Sequence, residues 1–372
     1  MHFADGVIPE GYLGYVRNKY LWILGGIILL FFLLIVSISV GAAGIPLYDV
    51  FLSIIHGTAD RISALLHLTT VSTENLSSVD RIVWNIRLPQ ALAAIAAGVG
   101  LSIAGVAMQS ILRNPLASPF TLGISNAGAF GAAVSVILLG TGQMHSSVAN
   151  AVTLNNPYMT TIVAFIFCLL ATAVILIISR VCGASPEVMI LAGVAISSLF
   201  TAGTMFLQYF ASDTQLAAVV FWTFGDVSRA GWQELGIMVV VVTGAVLYFI
   251  MNRWNYNAID AGDETAKGLG VNVDAIRNIG MVVAALVSAV IVSFLGVIGF
   301  VGLVCPHMVR RLIGDDQRFL IPGSCVMGGI LLLASDTVAR VIVAPYVLPV
   351  AVLTAFLGAP TFIYLLLRGY RR

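Results

Sequence analysis

The sequence predicts an all-α, polytopic membrane protein, and three observations carry that prediction. Hydrophobic residues make up 59% of 372 and charged residues 9%, and mean hydropathy is +1.02. A water-soluble domain carries about 25% charge, so this chain cannot cover a water-facing surface. The apolar residues gather in runs close to the ~20 residues of helix that cross a bilayer core about 30 Å thick. The basic residues gather in the connections on one side, as the positive-inside rule requires. A net charge of +1, with Lys19 and Lys267 as the lysines, excludes a basic nucleic-acid-binding surface.

The runs, in order, are 21–41, 82–108, 122–139, 157–179, 186–208, 231–251, 279–309, 320–343 and 347–367. Arg17 and Lys19 precede the first, and Arg368, Arg371 and Arg372 follow the last, so both termini are expected in the cytoplasm. Two inside ends require an even number of crossings, and nine runs are odd. The 31 residues of 279–309 would extend about 46 Å as one helix, too long for a single span. That run also holds Gly296, Gly299, Gly302 and Pro306. It splits into one full span and one shorter helix, which gives ten crossings. Of the 18 basic residues, Arg17, Lys19, Arg113, Arg180, Arg253, Lys267, Arg277, Arg310, Arg311, Arg318, Arg368, Arg371 and Arg372 then fall inside. Arg61, Arg81, Arg87, Arg229 and Arg340 fall outside.

One transmembrane domain is expected over 1–372. It has a cytoplasmic N-terminal segment 1–20, a partly irregular external loop 42–81 and a largest internal loop 252–278. No cleavable signal peptide is evident. The cysteines Cys168, Cys182, Cys305 and Cys325 are scattered, form no C-x-x-C pair and read as packing residues.

Several chemistries are absent from the letters. No G-x-x-x-x-G-K-[ST] loop, Ser/His/Asp set, paired carboxylates or H-E-x-x-H occurs, so catalysis and ATP hydrolysis within this chain are not expected. Polar residues at membrane depth have other uses. Gly98, Gly100 and Gly105 in the small-residue run 91–109 allow close helix approach. Pro115 and Pro119 interrupt the following segment, 113–131. Irregular polar backbone at that depth is tolerated only when buried in protein or lining a cavity. Gln109, Asn114, Ser125 and Asn126 are therefore candidates for a translocation pathway. Ser185-Pro186-Glu187 reads as a helix start, with Ser capping, Pro at the first position and Glu complementing the dipole. Asp336 and Arg340, four apart, share a helix face and can pair.

Taken together and in order, several segments resemble the FecCD-type permease subunits of ATP-driven importers for iron chelates, haem and cobalamin. They are IRLPQALAAIAAGVGLSIAGVAMQ, RNPLASPFTLGISNAGA, WTFGDVSRAGW, GDETAKGLGV, IGFVGLVCPHMVRRLIGDDQRFLIPGS, LLASDTVAR and LPVAVLTAFLGAPTFIYLL, across about 82–367. The resemblance implies a type II ABC importer permease fold with about ten transmembrane helices per subunit. It also implies a homodimer in the cytoplasmic membrane with the pathway between the copies, two ATPase subunits below and a substrate-binding protein outside. No cofactor and no resident metal are implied. GDETAKGLGV matches the family's coupling segment, which makes Asp263, Glu264, Ala266, Lys267, Leu269 and Gly270 the expected ATPase contacts. Arg87 and Arg340 match external arginines that meet acidic residues of the binding protein. Two departures stand out: Gln90 replaces the second arginine of the family's RLPR, and Val347 replaces the acidic residue of its later Glu-(Leu/Ile)-Pro-Val-Gly.

An iron(III) chelate is the expected substrate, with haem, a corrinoid or molybdate as alternatives. A secondary transporter coupled through Asp336 is a rival reading. So is metal binding at His2, because Met1–Gly6 looks like an N-terminal cobalt/nickel motif.

Overall fold

The structure is a computed structural model that describes residues 10–41, 44–65, 78–143, 153–154, 157–182, 185–344 and 346–369. His2, Arg371 and Arg372 lie outside the described residues. The elements are helices joined by short turns, plus one two-residue antiparallel ladder, Gly142–Gln143 against Thr153–Leu154.

Helix α1 (Glu10–Ser39) begins well before the apolar run at 21. Its early turns have their own anchor, because the Lys19 ammonium stands over the rings of Tyr15 and Phe319, 4.1 and 4.9 Å from their centres. Helix α2 (Leu47–Leu65) lies in the stretch expected to be partly irregular. It is held from outside itself, since Trp84 Nε1 donates to Ser53 O at 2.9 Å.

Helices α3 (Ser78–Ile82) and α4 (Leu88–Ile111) run on from one another through a π turn, Val83–Arg87. The turn follows from Pro89, which has no N–H to offer one helical turn back, so the hydrogen-bond ladder widens. The wider turn carries Trp84 and Arg87 inward, and both are buried. Helix α4 is the centre of the molecule, packed by α9, α12, α13 and α14. Its glycines make this possible: a methyl on Gly98 would overlap the Gly328 carbonyl, and one on Gly105 the Gly302 carbonyl.

Helices α5 (Ile124–Ala133), α6 (Pro157–Cys182) and α7 (Pro186–Tyr209) form a second group. The expected start of α7 is present, with Ser185 Oγ accepting from Val188 N at 3.3 Å and Pro186 first in the helix. An unanticipated short helix, α8 (Asp213–Thr223), follows. Ser212 and Gln215 cap its start, and Arg229 donates to the carbonyls of Phe221 and Trp222 at its end. Then come α9 (Trp232–Met251), α10 (Arg253–Asp260), α11 (Asp263–Gly268) and α12 (Val273–Leu295).

The long run 279–309 is broken, as its length requires. Helix α12 stops at Leu295 and α13 (Val301–Ile313) starts six residues later. Gly296 has φ +81° and Phe300 φ +66°, both in the left-handed region. The Leu295 carbonyl left without a helical partner at the break is satisfied inside the protein, since Asp226 N donates to it at 2.7 Å. Pro306, grouped with the break in the sequence, lies inside α13 instead. Helix α14 (Gln317–Ala339) then packs along α4, and α15 (Val350–Gly369) ends the described chain. Among the described residues seven helices are long and apolar enough to cross a membrane, and two shorter apolar ones lie at Ile124–Leu138 and Val350–Tyr364. With the 13-residue α13 they account for the ten expected segments.

Candidate coupling and translocation sites

The ends of α4 are about 36 Å apart, and the sequence-selected residues divide between them. At the far end, α10 and α11 form a bracket over the bundle. Gly262 (φ +120°) and Gly270 (φ +82°) flank α11, and these conformations reverse the chain on either side of it. The six coupling residues do not share one face. Ala266 is fully buried against Ile259 and Val273. Asp263 turns inward, its carboxylate oxygens 3.0 and 3.1 Å from Arg277 Nη2, with Arg113 Nη1 at 3.8 Å. Glu264 and Lys267 face out as a loose pair at 3.8 Å, and Leu269 is 70% exposed. Gly270 shapes the exit turn. Leu269, Glu264 and Lys267 therefore stand open on the outer side of the bracket, whereas Asp263 and Ala266 turn toward the bundle.

Arg277 belongs to none of the sequence motifs. It is 2% exposed, and its Nε donates to Ile111 O, the last residue of α4, at 3.2 Å. A parallel link runs through Gln317, which is fully buried. Its amide donates to Ser110 Oγ at 2.9 Å and to Asp260 Oδ2 at 2.8 Å, while its backbone N–H donates to Asn257 Oδ1. Beside it, Asp316 caps α14. Burial alone would raise the Asp316 carboxyl, but the hydrogen bonds from Arg318 and Asn257 outweigh it and hold it below the ordinary value. The Asp316 carboxylate is therefore charged at neutral pH.

Gln109 and Asn114 line a polar concavity of about 420 Å³ at this end, together with Arg113, Pro115, Asp260, Arg310 and Asp315. Gln109 accepts from Arg310 Nη1 at 2.8 Å, and Arg310 Nε meets Asp315 at 2.8 Å, so Arg310 is a bonded wall of the concavity rather than a free interfacial anchor. Ser125 and Asn126 lie elsewhere. Ser125 is buried in the first turn of α5, and Asn126 Nδ2 donates to Ser197 Oγ on α7. The structure thus brings two of the four pathway candidates together.

At the near end of α4, Arg87 and Arg340 are 5% and 8% exposed. Arg87 Nη1 donates to the carbonyls of Ile38 and Ser39 at 2.6 and 2.8 Å. Arg340 Nη2 donates to Ser37 Oγ at 2.6 Å, and its Nε sits 3.1 Å from Asp336 Oδ2. Gln90 Nε2 completes the group by donating to Asp336 Oδ1 at 3.1 Å. The departure at Gln90 therefore places a neutral donor on the buried carboxylate. Two guanidiniums close over the C-terminal carbonyls of α1, which suits the negative end of a helix.

A helical bundle with a broken membrane helix, a central small-residue helix and seven helices long and apolar enough to cross a membrane is the architecture of a multi-pass membrane protein. Residues 29–368 match the FecCD transport family, and the chain belongs to that family of ABC transporter permeases. It is 57% identical over 294 residues, 79% of this chain and 84% of the relative, to a Methanocaldococcus jannaschii protein provisionally named an ABC transporter permease. It is 37% identical to the hemin transport system permease protein of Yersinia pestis over 77% of this chain and 83% of that one. Among solved structures, an inward-facing transporter provisionally assigned to the metal-chelate ABC type superposes with a TM-score of 0.77. That match has 26% identity and covers 93% of this chain and 98% of that chain.

Proposed function

We propose that this chain is the membrane subunit of a binding-protein-dependent importer that carries an iron(III) chelate across the cytoplasmic membrane. The observation that carries the reading is family membership over 29–368, joined to a relative named for hemin, itself an iron chelate. Haem, a corrinoid or molybdate are the alternatives within the same importer class. Two copies enclose the pathway, and both termini are cytoplasmic. ATP is bound and hydrolysed in two partner subunits that dock on Glu264, Lys267 and Leu269. A nucleotide-driven change in the partners then moves the permease between outward- and inward-open forms, which requires contacts that differ between the two states. The 420 Å³ concavity beside Gln109 and Asn114 lies on the exit side.

The binding protein docks at the opposite end. Arg87 and Arg340 act there from beneath the surface, as two buried guanidiniums beside the end of α1. Such charge raises the encounter rate with an acidic partner more than the final affinity. Reconstitution in liposomes tests the whole reading. Uptake of a ferric chelate requires both the ATPase and the binding protein, and Arg87→Gln slows association of the binding protein most at low salt. Uptake by this chain alone, driven by an ion gradient, would sink the proposal.

A further inference from the structure

We infer that Arg277 is the positioning residue that transmits movement of the α10–α11 bracket to the end of α4, and thereby to the wall of the exit concavity. The inference rests on the reading of α11 as the ATPase-facing segment.

Arg277 sits one turn inside α12, and its guanidinium bonds in two directions at once. Nη2 holds both carboxylate oxygens of Asp263, the first residue of α11, at 3.0 and 3.1 Å. Nε holds the carbonyl of Ile111, where α4 ends, at 3.2 Å. The planar, forked guanidinium keeps these two bonds at a fixed angle, which an ammonium on a flexible stem would not do. At 2% exposure the group is shut off from water, so neither bond is readily exchanged for one to solvent. Asp263 also stands 3.8 Å from Arg113, in the turn that follows α4. Arg113 has φ +46°, an unusual conformation for a side chain of this size. Gln109 and Asn114, on either side of Ile111 and Arg113, line the concavity. A displacement of α11 therefore reaches the concavity wall through Arg277, beside the looser Asp263–Arg113 contact and the Gln317 link from α10.

The segment is also built to move as a piece. Gly262 and Gly270 supply turns at both ends of α11, while Ala266 is packed on Ile259 and Val273 between them. Glu264 and Lys267 face the partner and make no bond to α4 or α12 among those described. Contact and transmission thus fall to different residues of the same short helix.

The test uses the complete importer in liposomes and reads chelate taken up per ATP hydrolysed. Arg277→Gln and Asp263→Asn each assemble and hydrolyse ATP, but uptake per ATP falls on the order of tenfold. The double variant is no worse than either single one, because both remove the same link. Arg277→Lys, with charge but without the fork, stays low. Uptake per ATP unchanged in Asp263→Asn, or ATPase and uptake falling in parallel, would overturn the inference. If Arg277→Gln fails to assemble, Asp263→Asn, at a part-exposed carboxylate, decides alone. A wild-type complex without ATP-dependent uptake would instead sink the importer reading.

Discussion

Asp336 is a carboxylate inside a membrane helix, a costly placement unless every oxygen is matched. Here Arg340 Nε supplies a counter-charge 3.1 Å from Oδ2, which accepts no hydrogen bond among the described residues, and Gln90 donates to Oδ1 at 3.1 Å. Replacing Asp336 with Asn leaves the Arg340 guanidinium buried without a counter-charge, and loss of one partner of a buried pair costs about 3–5 kcal/mol. Unfolding in detergent should report that loss, and Asp336→Asn with Arg340→Gln together should lose less than the sum of the two. An Asp336→Asn protein as stable as wild type would show the pair to be structurally idle. At this scale the sequence is legible only along one helix. The four-residue spacing announced the Asp336–Arg340 pair. Gln90 and Ser37 come from helices 246 and 303 residues away in the chain, and nothing in the letters ties them to it. Arg277 was hidden for the same reason, because a basic residue at a helix start reads as an inner-face anchor until Asp263 and Ile111 are brought beside it.

Excess length announced the break between α12 and α13, but its chemistry is divided unevenly among the residues that suggested it. Gly296 carries the turn, with φ +81° and no room for a methyl against the Trp222 carbonyl. Gly299 meets nothing within 4 Å and is not in the left-handed region. Gly296→Ala should therefore destabilise the fold by about 1–3 kcal/mol, and Gly299→Ala should change it by under about 0.5 kcal/mol. Paired thermal unfolding curves check this, and equal shifts would mean that the break is shaped elsewhere. Pro306 does different work. It has no N–H for the Gly302 carbonyl one turn earlier, and that carbonyl faces Gly105 at the closest approach of α13 to α4. Periodicity and length were enough to find the spans. They could not find α2, α8 or the early start of α1, because those helices owe their order to Trp84, Arg229 and the Lys19–Phe319 contact rather than to an apolar run.

The distribution of burial decides what the whole molecule can do. The most apolar stretch of α4 is 83% buried, while those of α1 and α7 are 11% and 22% buried, so α4 is the axis and α1 and α7 keep most of their apolar surface on the outside of the bundle. Hydropathy ranks α1 above α4 and so misplaces both, since a membrane span needs apolar residues whether lipid or protein surrounds it. The charge count expects 13 of the 18 basic residues on the side of the 263–270 segment. That side must be cytoplasmic if partners there hydrolyse cellular ATP. The decisive measurement places single cysteines in a background with Cys168, Cys182, Cys305 and Cys325 replaced by Ser. Ser228→Cys, at an exposed site beside α9, should react with a membrane-impermeant maleimide on intact cells. Glu264→Cys, 95% exposed in the bracket, should react only after the cells are opened. The reverse pattern would put α11 outside, away from ATP. It would remove the coupling reading and the role of Arg277 together, while leaving the fold as described.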